Sequence, residues 1–135
     1  QKKSLKNINK SLYALLGLYI CVAIVYALFE VLTINYRPVL MDGELEASYP
    51  SSHTMLAVCV CGSAIIASNY IINNDSLKKL IKIAAGIIMS IVIITRFLSG
   101  VHWFTDIIGG IIISIFLLQV FSNMIKLFTK ENQRY

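Results

Sequence analysis

Hydrophobic positions along the 135-residue chain gather in four long runs. The first extends from Ser11 to Phe29 without a formal charge, and the second from Ser51 to Asn74 with His53 as its one basic group. The third has an uncharged centre, Ile83 to Thr95, and reaches spanning length when Leu77 to Lys82 joins it with the lysines snorkelling. The fourth runs from Ile107 to Ile125. A membrane-crossing helix needs about 20 apolar residues, within a range of about 17–25. No run alternates at period two over a useful length, which argues against a β-barrel. The expected fold is all-α, a multi-pass transmembrane helical bundle with four spans in a single membrane-embedded domain over residues 1–135.

Composition supports this reading: 57% of residues are hydrophobic and 14% charged, where a soluble domain carries about a quarter charged residues. The net charge of +5 would suit a nucleic-acid partner, but its distribution gives another reason. Lys2, Lys3, Lys6 and Lys10 precede the first span; Lys78, Lys79 and Lys82 separate the second from the third; Lys126, Lys130 and Arg134 follow the fourth. With four spans, these ten of the twelve basic residues fall on one side, which the positive-inside rule makes the cytoplasm. Arg37 and Arg96 fall on the opposite, outer side, with Asp42, Glu44, Glu46 and Asp106. The positive charge therefore reads as topology, and no nucleic-acid partner is expected.

Cys21, Cys59 and Cys61 lie inside apolar runs and read as packing residues, since buried free cysteine behaves as a small hydrophobe. Cys59 and Cys61 would point about 200° apart on a helix and cannot share a ligand. No zinc spacing is present. The chain begins at Gln1 without a cleavable signal pattern, and a fragment or trimmed chain is expected.

The remaining polar residues converge on the outer boundary. Arg37 closes the first span in INYRPVL, where Pro38 is expected to end the helix. His53 opens the second in YPSSH, Arg96 closes the third, and His102 opens the fourth in SGVHWFTD. His102 and Asp106 are four apart, a spacing that shares a helix face. Asp106 can accept the proton of one imidazole nitrogen and leave the other free to attack. Pro50 suits a first helical position, so Ser51, Ser52 and His53 would offer free backbone N–H groups to a phosphate. Two arginines can grip further phosphate oxygens in forked pairs.

Each feature alone has a plainer reading. A histidine at a membrane boundary is commonly an interfacial polar group, an aspartate in a first helical turn complements the helix dipole, and boundary arginines are commonly anchors. Trp103 and Tyr49 read as interface aromatics, Gly109 and Gly110 as small residues that admit close helix packing, and Ser99 and Gly100 as a turn. The combination carries the functional reading.

Together these residues resemble the type 2 phosphatidic acid phosphatase family of membrane lipid phosphatases. The family's second motif, Pro-Ser-Gly-His or a close variant, matches Pro50-Ser51-Ser52-His53. Its third, Ser-Arg, five residues, His, three residues, Asp, matches Thr95-Arg96, His102 and Asp106, with threonine in the serine position. Its first, Lys, six residues, Arg-Pro, keeps Arg37-Pro38 but has Glu30 where the lysine stands. The resemblance covers roughly residues 30–110. Members usually have six spans, so the four here would match the last four, with about two N-terminal spans missing or never present.

The resemblance implies that His102 attacks phosphorus to form a phosphohistidine, that Asp106 orients it, and that His53 protonates the leaving group and then assists water. It implies that Arg37, Arg96, Ser52, Ser51 and nearby amides hold phosphate, with no metal and no cofactor. Glu30 is expected to pair with Arg37, seven residues on, and orient it; protonation or a turn towards a neighbouring span are the alternatives. The implied substrate is a lipid phosphate or diphosphate in the bilayer, such as polyprenyl diphosphate, phosphatidate or phosphatidylglycerol phosphate. Hydrolysis would take place on the extracytoplasmic face of the cell membrane. A phosphotransferase with an alcohol acceptor and a non-catalytic head-group-binding protein are the alternative functions.

Overall fold

The structure, a computed structural model, describes the backbone of residues 4–132 and the side chains of 11–128. Lys2, Lys3 and Arg134 of the charge pattern lie outside the described residues, as do the side chains of Lys6, Lys10 and Lys130. Four helices follow one another: α1 (Ser4–Val31), α2 (Ser52–Ile71), α3 (Asp75–Leu98) and α4 (Phe104–Asn132). All four are long and apolar enough to cross a membrane. They form an all-helical membrane bundle, and the third run, whose centre alone was short of a span, becomes a 24-residue helix.

The helix ends follow local chemistry. Asn74 caps α3 by accepting from the Leu77 N–H at 3.1 Å. Lys78 reaches back to Asp75 at 3.0 Å in the first turn, which absorbs one lysine of the basic cluster. At the start of α4 the Asp106 carboxylate accepts the Trp103 N–H at 2.9 Å, the returning half of a capping box.

The core is a seam between three helices. Ala14, Leu18 and Val22, four residues apart on α1, meet Met55 and Cys59 of α2 and Phe121 and Ile125 of α4. Cys59 is fully buried there as a packing residue and Cys61 is buried too, whereas Cys21, also expected to pack, is exposed. α2 packs along both α3 and α4, and α1 lies chiefly against α4. α3 turns Ile83, Ile87, Ile91 and Ile94 outward and buries only Ala85 among its described residues. Such an apolar exterior suits lipid as the surrounding solvent, where helices hold together by close packing and small residues.

Three glycines serve that packing. A side chain at Gly62 would run into Leu118, and one at Gly109 into the ring of Tyr49. A Cβ on Gly110 would stand 3.0 Å from the Ser51 carbonyl oxygen and 3.4 Å from the Thr54 Cβ. The Gly109–Gly110 pair thus lets the start of α2 and the chain before it dock on α4.

The α1–α2 connection departs from the sequence expectation. α1 stops at Val31, well before Pro38, and Arg37 therefore does not close a helix. The segment Val31-Leu32-Thr33-Ile34 is largely β-branched, which favours extended chain, and Thr33 Oγ1 donates to the last-turn carbonyl of Glu30 at 3.4 Å. The connection then doubles back on itself. Asp42 and Gly43 have φ of 50° and 86°, and Met41 and Glu44 exchange backbone hydrogen bonds of 3.0 and 2.9 Å across them. Further out, Tyr36 bridges Ala47, the Arg37 N–H donates to the Glu46 carbonyl at 3.1 Å, and the Ser48 N–H donates to the Asn35 carbonyl at 3.0 Å. This return places Asn35, Arg37, Glu46 and Ser48 at one end of the bundle.

Candidate active site

The doubled-back connection, the start of α2 and the α3–α4 connection enclose a polar cavity of about 200 Å³. Glu30, Arg37, Glu46, Ser48, Ser52 and His102 line it together with aromatic groups. Beside it runs an apolar groove of about 430 Å³ between α1 and α2, lined by Tyr19, Val22, Ala23, Tyr26, Met55 and Leu56 with Ser52 and His53 at its polar end. Tyr26 and Ser52 belong to both, so the polar cavity and the groove adjoin.

His102 is buried, 6% exposed, and precedes α4 rather than lying on it. Its Nδ1 is 3.1 Å from the carbonyl oxygen of Ser48 and 3.3 Å from the Ser48 hydroxyl. A carbonyl only accepts, so Nδ1 carries the proton and Nε2 keeps its lone pair. Nε2 is buried without a hydrogen-bond partner among the described residues.

Asp106 is fully buried. Its Oδ1 accepts from Asn35 Nδ2 at 3.0 Å, while its Oδ2 accepts from the Trp103 N–H at 2.9 Å and from the Ser48 hydroxyl. The nearest approach of Oδ2 to His102 Nδ1 is 3.7 Å, too long for a hydrogen bond. The four-residue spacing thus brings the two residues together, but not across a helix face. The carboxylate is turned back to cap Trp103, and Ser48 stands between it and the imidazole.

Burial lowers the pKa of His102 below the ordinary value of 6.5, and the Arg37 and Arg96 cations add to this. Asp106 and the Ser48 carbonyl act in the opposite direction without reversing it. The balance favours the neutral imidazole, with a free lone pair.

Arg37 is mostly buried, 16% exposed, and its Nε lies 3.1 Å from Glu46 Oε2. The contact is an ion pair by distance without hydrogen-bond alignment. The expected Glu30–Arg37 pair is absent among the described residues, because the two do not share a helix: Glu30 lies in the last turn of α1 and Arg37 in the connection after it. Glu30 instead lines the cavity with an exposed side chain. Arg96 sits in the last turn of α3, and its charge and that of Arg37 reach both His53 and His102.

Pro50 precedes the N-cap of α2, Ser51, and is not its first helical residue. Ser51 is turned away from the cavity. Its N–H donates to the Asp106 carbonyl at 3.0 Å, and its buried hydroxyl accepts from Thr54 Oγ1 at 3.1 Å. It stitches α2 to α4 and is not a free donor, contrary to the sequence expectation. The Ser51 side chain makes no capping bond to the following N–H groups of α2, so Ser52 and His53 head a helix start that can receive an anion. Ser52 reaches the polar cavity, and His53 lies exposed in the adjoining groove.

Ser48, Asn35 and Glu46 were not found from sequence. The Asp42–Gly43 pair is a hairpin signal, but counting outward from it sets Arg37 opposite Ser48. Pro38 has no N–H to give to the ladder, and the register past it moves Arg37 beside Glu46.

A buried imidazole with an unpartnered nitrogen, the Arg37 side chain and the start of α2 thus meet at one polar cavity in a membrane bundle. The PAP2 superfamily model matches residues 14–130, and the chain belongs to that family. It is similar to phosphatidylglycerophosphatase B of Bacillus subtilis (strain 168), with 36% identity over 94 residues, covering 65% of this chain and 45% of that protein. The chain thus spans under half the length of the curated relative it matches. No solved structure matches it.

Proposed function

We propose that the protein is a lipid phosphatase that hydrolyses a lipid phosphate or diphosphate through a phosphohistidine on His102. The observation that carries this reading is the buried, unpartnered Nε2 of His102, a residue that lines one cavity with Arg37 and Ser52. Family membership and the phosphatidylglycerophosphatase relative support the lipid-phosphatase part of this reading. The apolar groove beside the polar cavity suits an amphiphile, with the phosphate among the polar groups and the chain between α1 and α2.

In the first step the lone pair of His102 Nε2 attacks phosphorus. The phosphorus–oxygen bond to the lipid breaks, and the departing oxygen takes a proton from the His53 imidazolium. In the second step a water attacks the phosphohistidine and gives its proton to His53. The phosphorus–nitrogen bond breaks, its electron pair returns to Nε2, and phosphate leaves. Arg37, Arg96, Ser52 and the first N–H groups of α2 hold the phosphate oxygens and stabilise the charge that builds on them. An imidazole nucleophile needs no metal-bound water, so the proposed reaction is metal-independent. The charge pattern of the connections supports a site on the extracytoplasmic side of the cell membrane.

The test is phosphate release by purified protein in detergent against phosphatidate, phosphatidylglycerol phosphate and a polyprenyl diphosphate, with and without an added alcohol. Release of inorganic phosphate from at least one supports hydrolysis. Transfer to the alcohol alone makes the protein a phosphotransferase, and inertness towards all three contradicts the reading.

A further inference from the structure

We infer that Ser48 is a positioning residue that couples Asp106 to His102, so that aspartate orients the nucleophile through the serine rather than by direct contact. The inference rests on His102 being the nucleophile. Ser48 is 2% exposed and offers His102 Nδ1 two oxygens, the carbonyl at 3.1 Å and the hydroxyl at 3.3 Å. The same hydroxyl donates to Asp106 Oδ2, while Asp106 itself stays 3.7 Å from Nδ1.

A hydroxyl has one proton and two lone pairs. With its proton committed to the carboxylate, the oxygen can only accept from His102. Both Ser48 oxygens therefore demand the proton on Nδ1 and leave Nε2 bare. The backbone fixes this serine in turn. Its N–H donates to the Asn35 carbonyl at 3.0 Å, and the Asn35 side chain donates to Asp106 Oδ1 at 3.0 Å. Asn35 and Ser48 thus hold the two carboxylate oxygens from opposite arms of the doubled-back connection, and the imidazole orientation depends on that connection being folded.

The test pairs kinetics with a signal that does not depend on activity. In the full-length protein, Ser48→Ala is expected to lower kcat about 10- to 100-fold, as a misplaced reacting group does, with KM nearly unchanged. In an Asp106→Asn background the same substitution is expected to cost little more, because both act along one path. In protein labelled with heavy-nitrogen histidine, and with His53→Gln assigning the two rings, wild-type His102 is expected to carry its proton on Nδ1. That proton's resonance should move in Ser48→Ala and stay in Thr105→Val. Should Ser48→Ala not fold, Asp106→Asn breaks the path from its other end and should move the same resonance. An unmoved resonance, or full multiplication of the two kinetic losses, overturns the inference. If the wild type releases no phosphate from any lipid, the functional reading fails while the resonance still decides the role of Ser48.

Discussion

Arg37 and Glu46 face each other across the two arms of the α1–α2 connection, Nε to Oε2 at 3.1 Å. Glu46 is half exposed and Arg37 mostly buried, so the pair sits at the cavity mouth. Glu30 lines the same cavity without an ion pair among the described residues. Both carboxylates oppose an incoming phosphate by like-charge repulsion. A partly exposed pair is worth about 0–1 kcal/mol, so the effects are modest. Glu46→Gln and Glu30→Gln are each expected to lower KM about two- to fivefold with kcat nearly unchanged. A rise in KM for Glu46→Gln in steady-state kinetics would show instead that the anion is needed to hold Arg37 in place.

His102 has a pKa below 6.5, lowered by burial and then by Arg37 and Arg96, against the opposing Asp106 and Ser48 carbonyl. A neighbouring cation disfavours the imidazolium, so Arg37→Gln should raise this pKa. A neighbouring anion favours it, so Asp106→Asn should lower it further. NMR titration of His102 measures both shifts without any turnover. In the wild type, the acidic limb of kcat/KM attributable to His102 should lie below 6.5, and a limb above that value would contradict the reading.

Gly109 lies under the ring of Tyr49, which also meets Phe29 edge-on with ring centres 5.5 Å apart. Gly109→Ala is expected to push this ring away and loosen the connection that carries Ser48. Overpacking of this kind costs about 1–3 kcal/mol. The thermal midpoint in detergent should fall, and removing the ring with Tyr49→Val in the same chain should recover part of it. An unchanged midpoint would mean that the connection yields freely.

The helices were legible in sequence because lipid imposes a simple demand, a long run without charges. The motifs likewise marked the end of the bundle where His53, Arg96, His102 and Asp106 would gather. What escaped was the connection between Val31 and Ser51. Its conformation depends on a ladder whose register shifts past Pro38, and no apolar periodicity fixes it. The Glu30–Arg37 pairing failed because a seven-residue spacing has meaning only on a continuous helix. The direct Asp106–His102 bond failed for a similar reason: His102 precedes α4, and Asp106 caps the helix start. Ser51 matched the motif, but its position beside Gly110 gives it a structural bond to α4.

The proposed orientation of the bundle rests on the ten-to-two division of basic residues. In a background lacking Cys21, Cys59 and Cys61, cysteine at Asp42 is expected to react with a membrane-impermeant thiol reagent on intact cells, whereas cysteine at Ser76 is not. Both positions are exposed. Reversed labelling would put the cavity on the cytoplasmic side and remove the outer leaflet as the source of substrate.

The most direct measurement of the central claim is capture of the covalent intermediate. Purified protein is mixed briefly with a lipid phosphate that it turns over, radiolabelled in the transferred phosphoryl group, in the presence of EDTA, and quenched in base. The wild type should retain a base-stable, acid-labile label that maps to the peptide containing His102, and His102→Ala should retain none and release no phosphate. Turnover by His102→Ala at the wild-type rate, or a label on another residue, would contradict the account.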